Sequence, residues 1–252
     1  MLRSGPSVFE TVELRDGRPF ALEAHLELLR SGAERLGLPP IDVGQVEQAV
    51  ATVAEGWGRS PGRLRITWFR PDDSLMVGDA PTRGRLLVSV APFRLLRSPA
   101  HVMLAGFPID PGGLATGLKS GAYTASVAAL AGSAGADEVL MGTTDGELCS
   151  GATSNVVVGI DGRMRTPRGR SGRRAGVTIS LLTEALAAQG ITVHQDEIRL
   201  AELSRVDEMF LVSTTRPVQP VRSLDGVELP SCPGPLTEQA RRALERWRDL
   251  SR

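Results

Sequence analysis

The chain has 252 residues, 41% of them hydrophobic, and 29 Lys+Arg balance 29 Asp+Glu. That length can bury two cores or one large α/β core, and zero net charge excludes the broad basic surface that nucleic acid or an acidic membrane selects. Two cysteines and three scattered histidines give neither a disulfide framework nor a metal-ligand set; with no apolar leader or membrane-length stretch, the expected setting is the cytoplasm.

Val8–Leu14 alternates apolar and polar residues as a half-buried strand does, and Asp16-Gly17 turns it into Arg18-Pro19-Phe20, a hairpin. Leu22, Leu26, Leu29, Ala33 and Leu36 form a helical stripe stopped by Gly37. A second helix is predicted from Val43 to Glu55, then strands at Arg63–Trp68 and Leu86–Pro92 across a polar loop, and another at Val102–Leu104. Two prolines and two glycines within Phe107–Gly113 stop any regular element. The expected organisation is therefore an N-terminal α/β domain at 1–106, a linker at 107–116 and a C-terminal α/β domain at 117–252. Within the latter, helices are predicted at Thr124–Ala134, Val177–Gln189 and Thr237–Arg252, the last charged and exposed. Strands are predicted at Glu138–Gly142, Asn155–Ile160 and Met209–Val212, and a glycine-punctuated loop at 166–176.

Lys119 is the only lysine; the other cations are all arginine, and Tyr123, four residues on, is the only tyrosine. An ammonium can lose its proton when desolvated and become a nucleophilic amine, whereas a guanidinium cannot. An ordinary surface lysine is the plain alternative. Tyr123 either packs in the core or hydrogen-bonds the amine. Gly176-Val177-Thr178 opens a helix and can receive an anion on its free N–H groups, although threonine there is more often a simple cap. Ser213-Thr214-Thr215, running into Arg216, follows a buried strand, where an α/β sheet presents ligand contacts. His25 reads as structural, with no acidic partner at suitable spacing on its helix, and Cys149 as a buried filler.

The motifs also fall in a familiar order: Val8-Phe9-Glu10-Thr11, the His25 helix with Arg30-Ser31-Gly32-Ala33, and Lys119-Ser120-Gly121-Ala122-Tyr123. Gly151-Ala152-Thr153-Ser154-Asn155, Gly176-Val177-Thr178 and Asp207–Leu211 leading to Gln219-Pro220-Val221 follow. Nearly the whole chain resembles the class IV aminotransferases, fold-type IV pyridoxal phosphate enzymes, and most of all their 4-amino-4-deoxychorismate lyases. The resemblance implies a two-domain α/β (α+β) fold like that of branched-chain aminotransferases, a homodimer, and pyridoxal 5'-phosphate as cofactor. It makes Lys119 the residue that holds the cofactor as a Schiff base and then shuttles the substrate proton. Val177, Thr178 and Thr214 become its phosphate cup, with a small acidic amino-bearing molecule as substrate.

Two positions depart from that pattern. The family's phosphate-clamping arginine is Leu28 here, and the glutamate that protonates the pyridine nitrogen is Ser150. A charge-assisted bond to phosphate is worth roughly 1.5–3 kcal/mol, or one to two orders of magnitude in binding. The 168–174 loop carries four arginines. One of them, Arg174 foremost, is a candidate for the displaced anion contact, with Thr215 and Arg216 as further anion-binding candidates, against the alternative of a solvated basic loop. Three functions stay open at the level of sequence: lyase or transaminase chemistry through Lys119, a cofactor-independent descendant using Lys119 and Tyr123 directly, and a non-catalytic dimeric pseudoenzyme.

Overall fold

The computed structural model describes residues 6–70, 83–121 and 123–250; the polar loop expected after Trp68 lies largely outside them. The chain gathers into two compact units, Met1–Arg94 with Leu118–Tyr123, and Leu95–Gly117 with Thr124–Arg252. This division differs from the one expected at 107–116. The Phe9 N–H donates to the Lys119 carbonyl and the Gly121 N–H to the Ser7 carbonyl, both at 2.8 Å, so the lysine segment is stitched to the first strand.

In the first unit, β1 (Ser7–Arg15), β2 (Arg18–Pro19), β3 (Gly62–Phe69) and β4 (Arg85–Pro92) form an antiparallel sheet in the order β2-β1-β3-β4. Asp16 and Gly17 take left-handed φ values of 50° and 80°, as a tight hairpin matched to strand twist requires. Val8, Val12 and Leu14 share a buried cluster with Leu64, Ile66 and Trp68. Helix α1 (Leu22–Arg35) adds Leu26, Leu29 and Ala33, and α2 (Val43–Trp57) adds Val46, Val50 and Ala54. The i, i+3, i+4 spacing that predicts these helices is the spacing that seals this face. Glu10, opposite Ile66 in register, is a carboxylate set in that apolar row.

The second unit holds β5 (Ala100–Leu104), α3 (Thr124–Ala131), β6 (Glu138–Gly142), β7 (Leu148–Gly151), β8 (Asn155–Ile160) and β9 (Arg163–Pro167). It continues with α4 (Val177–Ala187), β10 (Val193–Asp196), β11 (Glu208–Ser213), β12 (Arg216–Leu224), β13 (Val227–Glu228) and α5 (Pro235–Leu250). Its sheet runs β10-β9-β8-β11-β12-β5-β6-β7, with β13 paired to β12. The central strands β8 and β11 are buried almost throughout, which explains their unbroken apolar runs.

Strands β7, β9, β10 and β12 are not visible as strands in the sequence. Pro217 and Pro220 argue against an inner strand, but β12 tolerates them beside a register shift opposite β11. β9 hides because Arg163 and Arg165 break its apolar pattern; Arg165 instead bonds Asp196 at 2.9 Å and Glu202 at 3.0 Å. Helix α5 is charged but not simply exposed, since Thr237, Ala240, Ala243 and Leu244 are buried. No helix among the described residues is long and apolar enough to cross a membrane.

Candidate active site

Lys119 Nζ donates to both oxygens of Glu10, at 3.1 Å to Oε1 and 2.9 Å to Oε2. On Oε2 the same carboxylate meets His25 Nδ1 at 2.8 Å. The lysine side chain is 22% exposed, while Glu10 and His25 are almost wholly enclosed. His25 therefore does have an acidic partner, supplied by β1 and not by its own helix. The sequence shows Glu10 only as part of the Val8–Thr11 motif, with no role of its own; its signal is a lone carboxylate on the core-facing side of an alternating strand.

Burial pushes the Glu10 carboxyl up, but the Lys119 charge and the His25 hydrogen bond lead the effects that outweigh it, leaving the group below its ordinary value of 4.5. A carboxyl lowered by folding stabilises the fold above its unfolded value, and that stability is lost as pH falls through the folded value. Denaturant unfolding at a series of acidic pH values should therefore show stability declining below about 4.5. In Glu10→Gln that part of the slope is expected to flatten.

On the opposite face of β1, Tyr123 stands edge-on to Phe9, with ring centroids 5.3 Å apart at 68°. The Arg65 guanidinium lies 3.6 Å from the Phe9 centroid. Burial lowers the Arg65 pKa, Tyr123 opposes that effect, and Arg63 adds to it. Tyr123 thus packs on an aromatic ring beside a cation. Leu28 is a half-buried residue of α1, one turn beyond His25.

The other candidates lie in the second unit. Gly176 precedes α4 with no side-chain cap, so the N–H groups of Val177, Thr178 and Ile179 have no partner inside the helix. Asn155 Nδ2 donates to the Arg174 carbonyl at 2.8 Å, and its Oδ1 sits so close to Gly176 that an added Cβ would lie 2.3 Å from it. Asn155 pairs with Val212, and the next residue, Ser213, keeps a buried hydroxyl with no partner. A helix start open to an anion and an orphaned hydroxyl fit a phosphate monoester. Gly176→Ala should push Asn155 away and weaken phosphate-ester binding at least about tenfold, as read by calorimetry with pyridoxal phosphate.

Ser150 and Arg174 come together, though not as an acid and its base. Ser150 Oγ donates to the Gly151 carbonyl at 3.0 Å, and Arg174 Nη2 donates to the same oxygen. Burial pushes the neighbouring Cys149 thiol up, as suits a filler. Arg216 is 9% exposed, with Nη1 on Gln219 and Nη2 on the Asp137 carbonyl, both at 2.9 Å. Two of its donors are thus held by the fold. The Thr215 carbonyl accepts the Leu96 N–H at 2.9 Å. Within the arginine-rich stretch, Arg168 pairs with Glu147 at 2.6 Å and with Glu197 at 2.8 Å, whereas Arg173 and Arg174 donate to neutral groups, Gln195 and the Gly151 carbonyl. Among the described residues, no group of three or more His, Cys, Asp or Glu could hold a metal ion.

A family model for class IV amino-transferases matches residues 7–224. The chain belongs to the class IV aminotransferases. This class IV aminotransferase is 31% identical over 250 residues to the bifunctional aminodeoxychorismate lyase / D-amino acid transaminase of Mycobacterium tuberculosis, spanning 91% of this chain and 85% of the relative. Its fold matches that of a proposed 4-amino-4-deoxychorismate lyase from Legionella pneumophila, with a TM-score of 0.89 at 19% identity over 96% of this chain and 91% of the other. A hypothetical aminotransferase from M. tuberculosis, in its pyridoxal phosphate-bound form, matches with a TM-score of 0.84 at 25% identity, over 98% and 89% of the two chains. The architecture is accordingly the fold-type IV aminotransferase fold, and the protein is an enzyme of a family that uses pyridoxal phosphate.

Proposed function

We propose that this enzyme uses pyridoxal phosphate to act on a small amino-bearing acid, by lyase chemistry that releases pyruvate from aminodeoxychorismate or a relative, or by transamination. The observation that carries the reading is the sole lysine of the chain, bonded to a buried carboxylate. The function of the M. tuberculosis relative, which combines both activities, supports the choice of chemistry. When bound, the cofactor supplies an aldehyde for amines to condense with and a ring that draws electron density from the substrate carbon.

The rest falls to the protein. Val177 and Thr178 N–H groups and the Ser213 hydroxyl would receive the phosphate. Lys119 Nζ would provide the condensing amine, then take a proton from the substrate carbon and return it. Glu10 orients that nitrogen through two hydrogen bonds and His25 orients Glu10, so the amine is aimed before substrate arrives.

The test is to incubate the purified protein and pyridoxal phosphate either with aminodeoxychorismate or with a D-amino acid and a keto acid. Pyruvate release in the first mixture supports the lyase, and amino exchange in the second supports the transaminase. Turnover of neither sinks both. A second reading, acid–base chemistry by Lys119 and Tyr123 without cofactor, draws on Leu28 and Ser150, where the chain offers no ionic contact. Activity unchanged by added or removed cofactor would select it.

A further inference from the structure

We propose that Glu10 and His25 form a proton store for Lys119: when the amine becomes neutral, the buried pair takes up one proton, which comes to rest on the His25 imidazole. Among the described residues, the titratable groups facing Glu10 are His25 from α1 and Lys119 from the segment stitched to β1, while β3 meets it with Ile66. Its own strand adds only the Thr11 N–H, at 3.3 Å. Glu10 is 3% exposed and His25 2%. With the cation on Lys119 and an uncharged imidazole, the trio is neutral overall.

That balance fails once Lys119 gives up its charge, as any amine must to act as a nucleophile or base. An ionised Glu10 would then be an uncompensated charge in an enclosed site, which burial strongly disfavours. A proton on the pair restores neutrality. Imidazole is by nature the more basic partner, about two pH units above a glutamate carboxyl, so the charge settles on the ring. The atoms balance: one N–H bond breaks at Lys119 Nζ and one forms at His25 Nε2, by exchange through water. An ionised carboxylate can only accept, so the contact between Glu10 and Nδ1 places the neutral ring's proton on Nδ1 and leaves Nε2 to receive the second. Both residues act through Lys119 and are positioning residues. The store is a property of the trio whatever the substrate; only its use in turnover rests on Lys119 being the reacting amine.

Nitrogen-15 NMR of the histidine rings near neutral pH tests this without any turnover. His101 and His194 serve as internal reports on the fold. Wild-type His25 should show a neutral ring with its proton on Nδ1. Lys119→Met, which keeps chain length but no charge, should show both nitrogens protonated. Lys119→Arg, with its permanent cation, should return the ring to neutral, as should the double variant Lys119→Met with Glu10→Gln. Acetylating the native protein gives the same test without a substitution, because Lys119 carries its only side-chain amine. It should likewise produce the doubly protonated ring. A neutral His25 ring in either Lys119→Met or the acetylated protein overturns the proposal.

Discussion

Lys119→Arg is expected to lower turnover by about three orders of magnitude or more while leaving the fold close to wild type. The substitution keeps a cation beside Glu10, so the buried carboxylate retains its partner. It removes the one thing a guanidinium cannot supply, a neutral amine at working pH. Lys119→Ala separates the two effects. It should lose activity to the same degree but also stability, by about 1–3 kcal/mol, because Glu10 loses its cation and is left with His25 and the Thr11 N–H. Steady-state rates and denaturant midpoints on the two variants read this directly. Equal destabilisation of both, or substantial turnover in Lys119→Arg, would contradict the assignment.

Glu208→Ala is expected to have the largest effect on stability away from the lysine, roughly 2–4 kcal/mol. This carboxylate on β11 accepts the Leu236 N–H at 2.9 Å, the Thr237 N–H at 2.7 Å and the Thr237 hydroxyl at 2.6 Å. It thereby caps α5 from the sheet, with Thr237 fully buried. Negative charge at a helix start also opposes the positive end of its dipole. Gly234 and Gly159 pack on the same side chain, and a Cβ at either would come within 2.4 and 2.7 Å of its atoms. Glu208→Gln should recover only part of the loss, since its NH2 group would face a donor where the carboxylate presents an acceptor. Thermal unfolding of the two variants decides; a midpoint unmoved in Glu208→Ala would refute the capping role.

Much of this molecule was legible before any coordinates. The β1–β2 hairpin, the helices and the apolar strands β8 and β11 follow from local periodicity and turn chemistry, which act over a few residues. The lysine stood out by chemistry, as a lone amine among guanidiniums, and the order of motifs carried the family. Long-range pairing could not be read in the same way. Arg163 and Arg165 look like loop residues until β9 finds β8 and β10, and the prolines of β12 look like breakers until a register shift accommodates them. The partner of His25 was missed because it lies 15 residues away on another element. That Arg216 gives donors to Gln219 and the Asp137 carbonyl was equally hidden, since Asp137 lies on a distant stretch of chain.

The most direct test of Lys119 as the reacting amine is to treat the whole protein with pyridoxal phosphate and then borohydride, which fixes any amine–aldehyde linkage, and to map the product by mass spectrometry. The expected result is one pyridoxyl group per chain on the peptide containing Lys119, and none on the corresponding peptide of Lys119→Arg. Label confined to the N-terminal amine, or no label on the Lys119 peptide at saturating cofactor, would contradict the account.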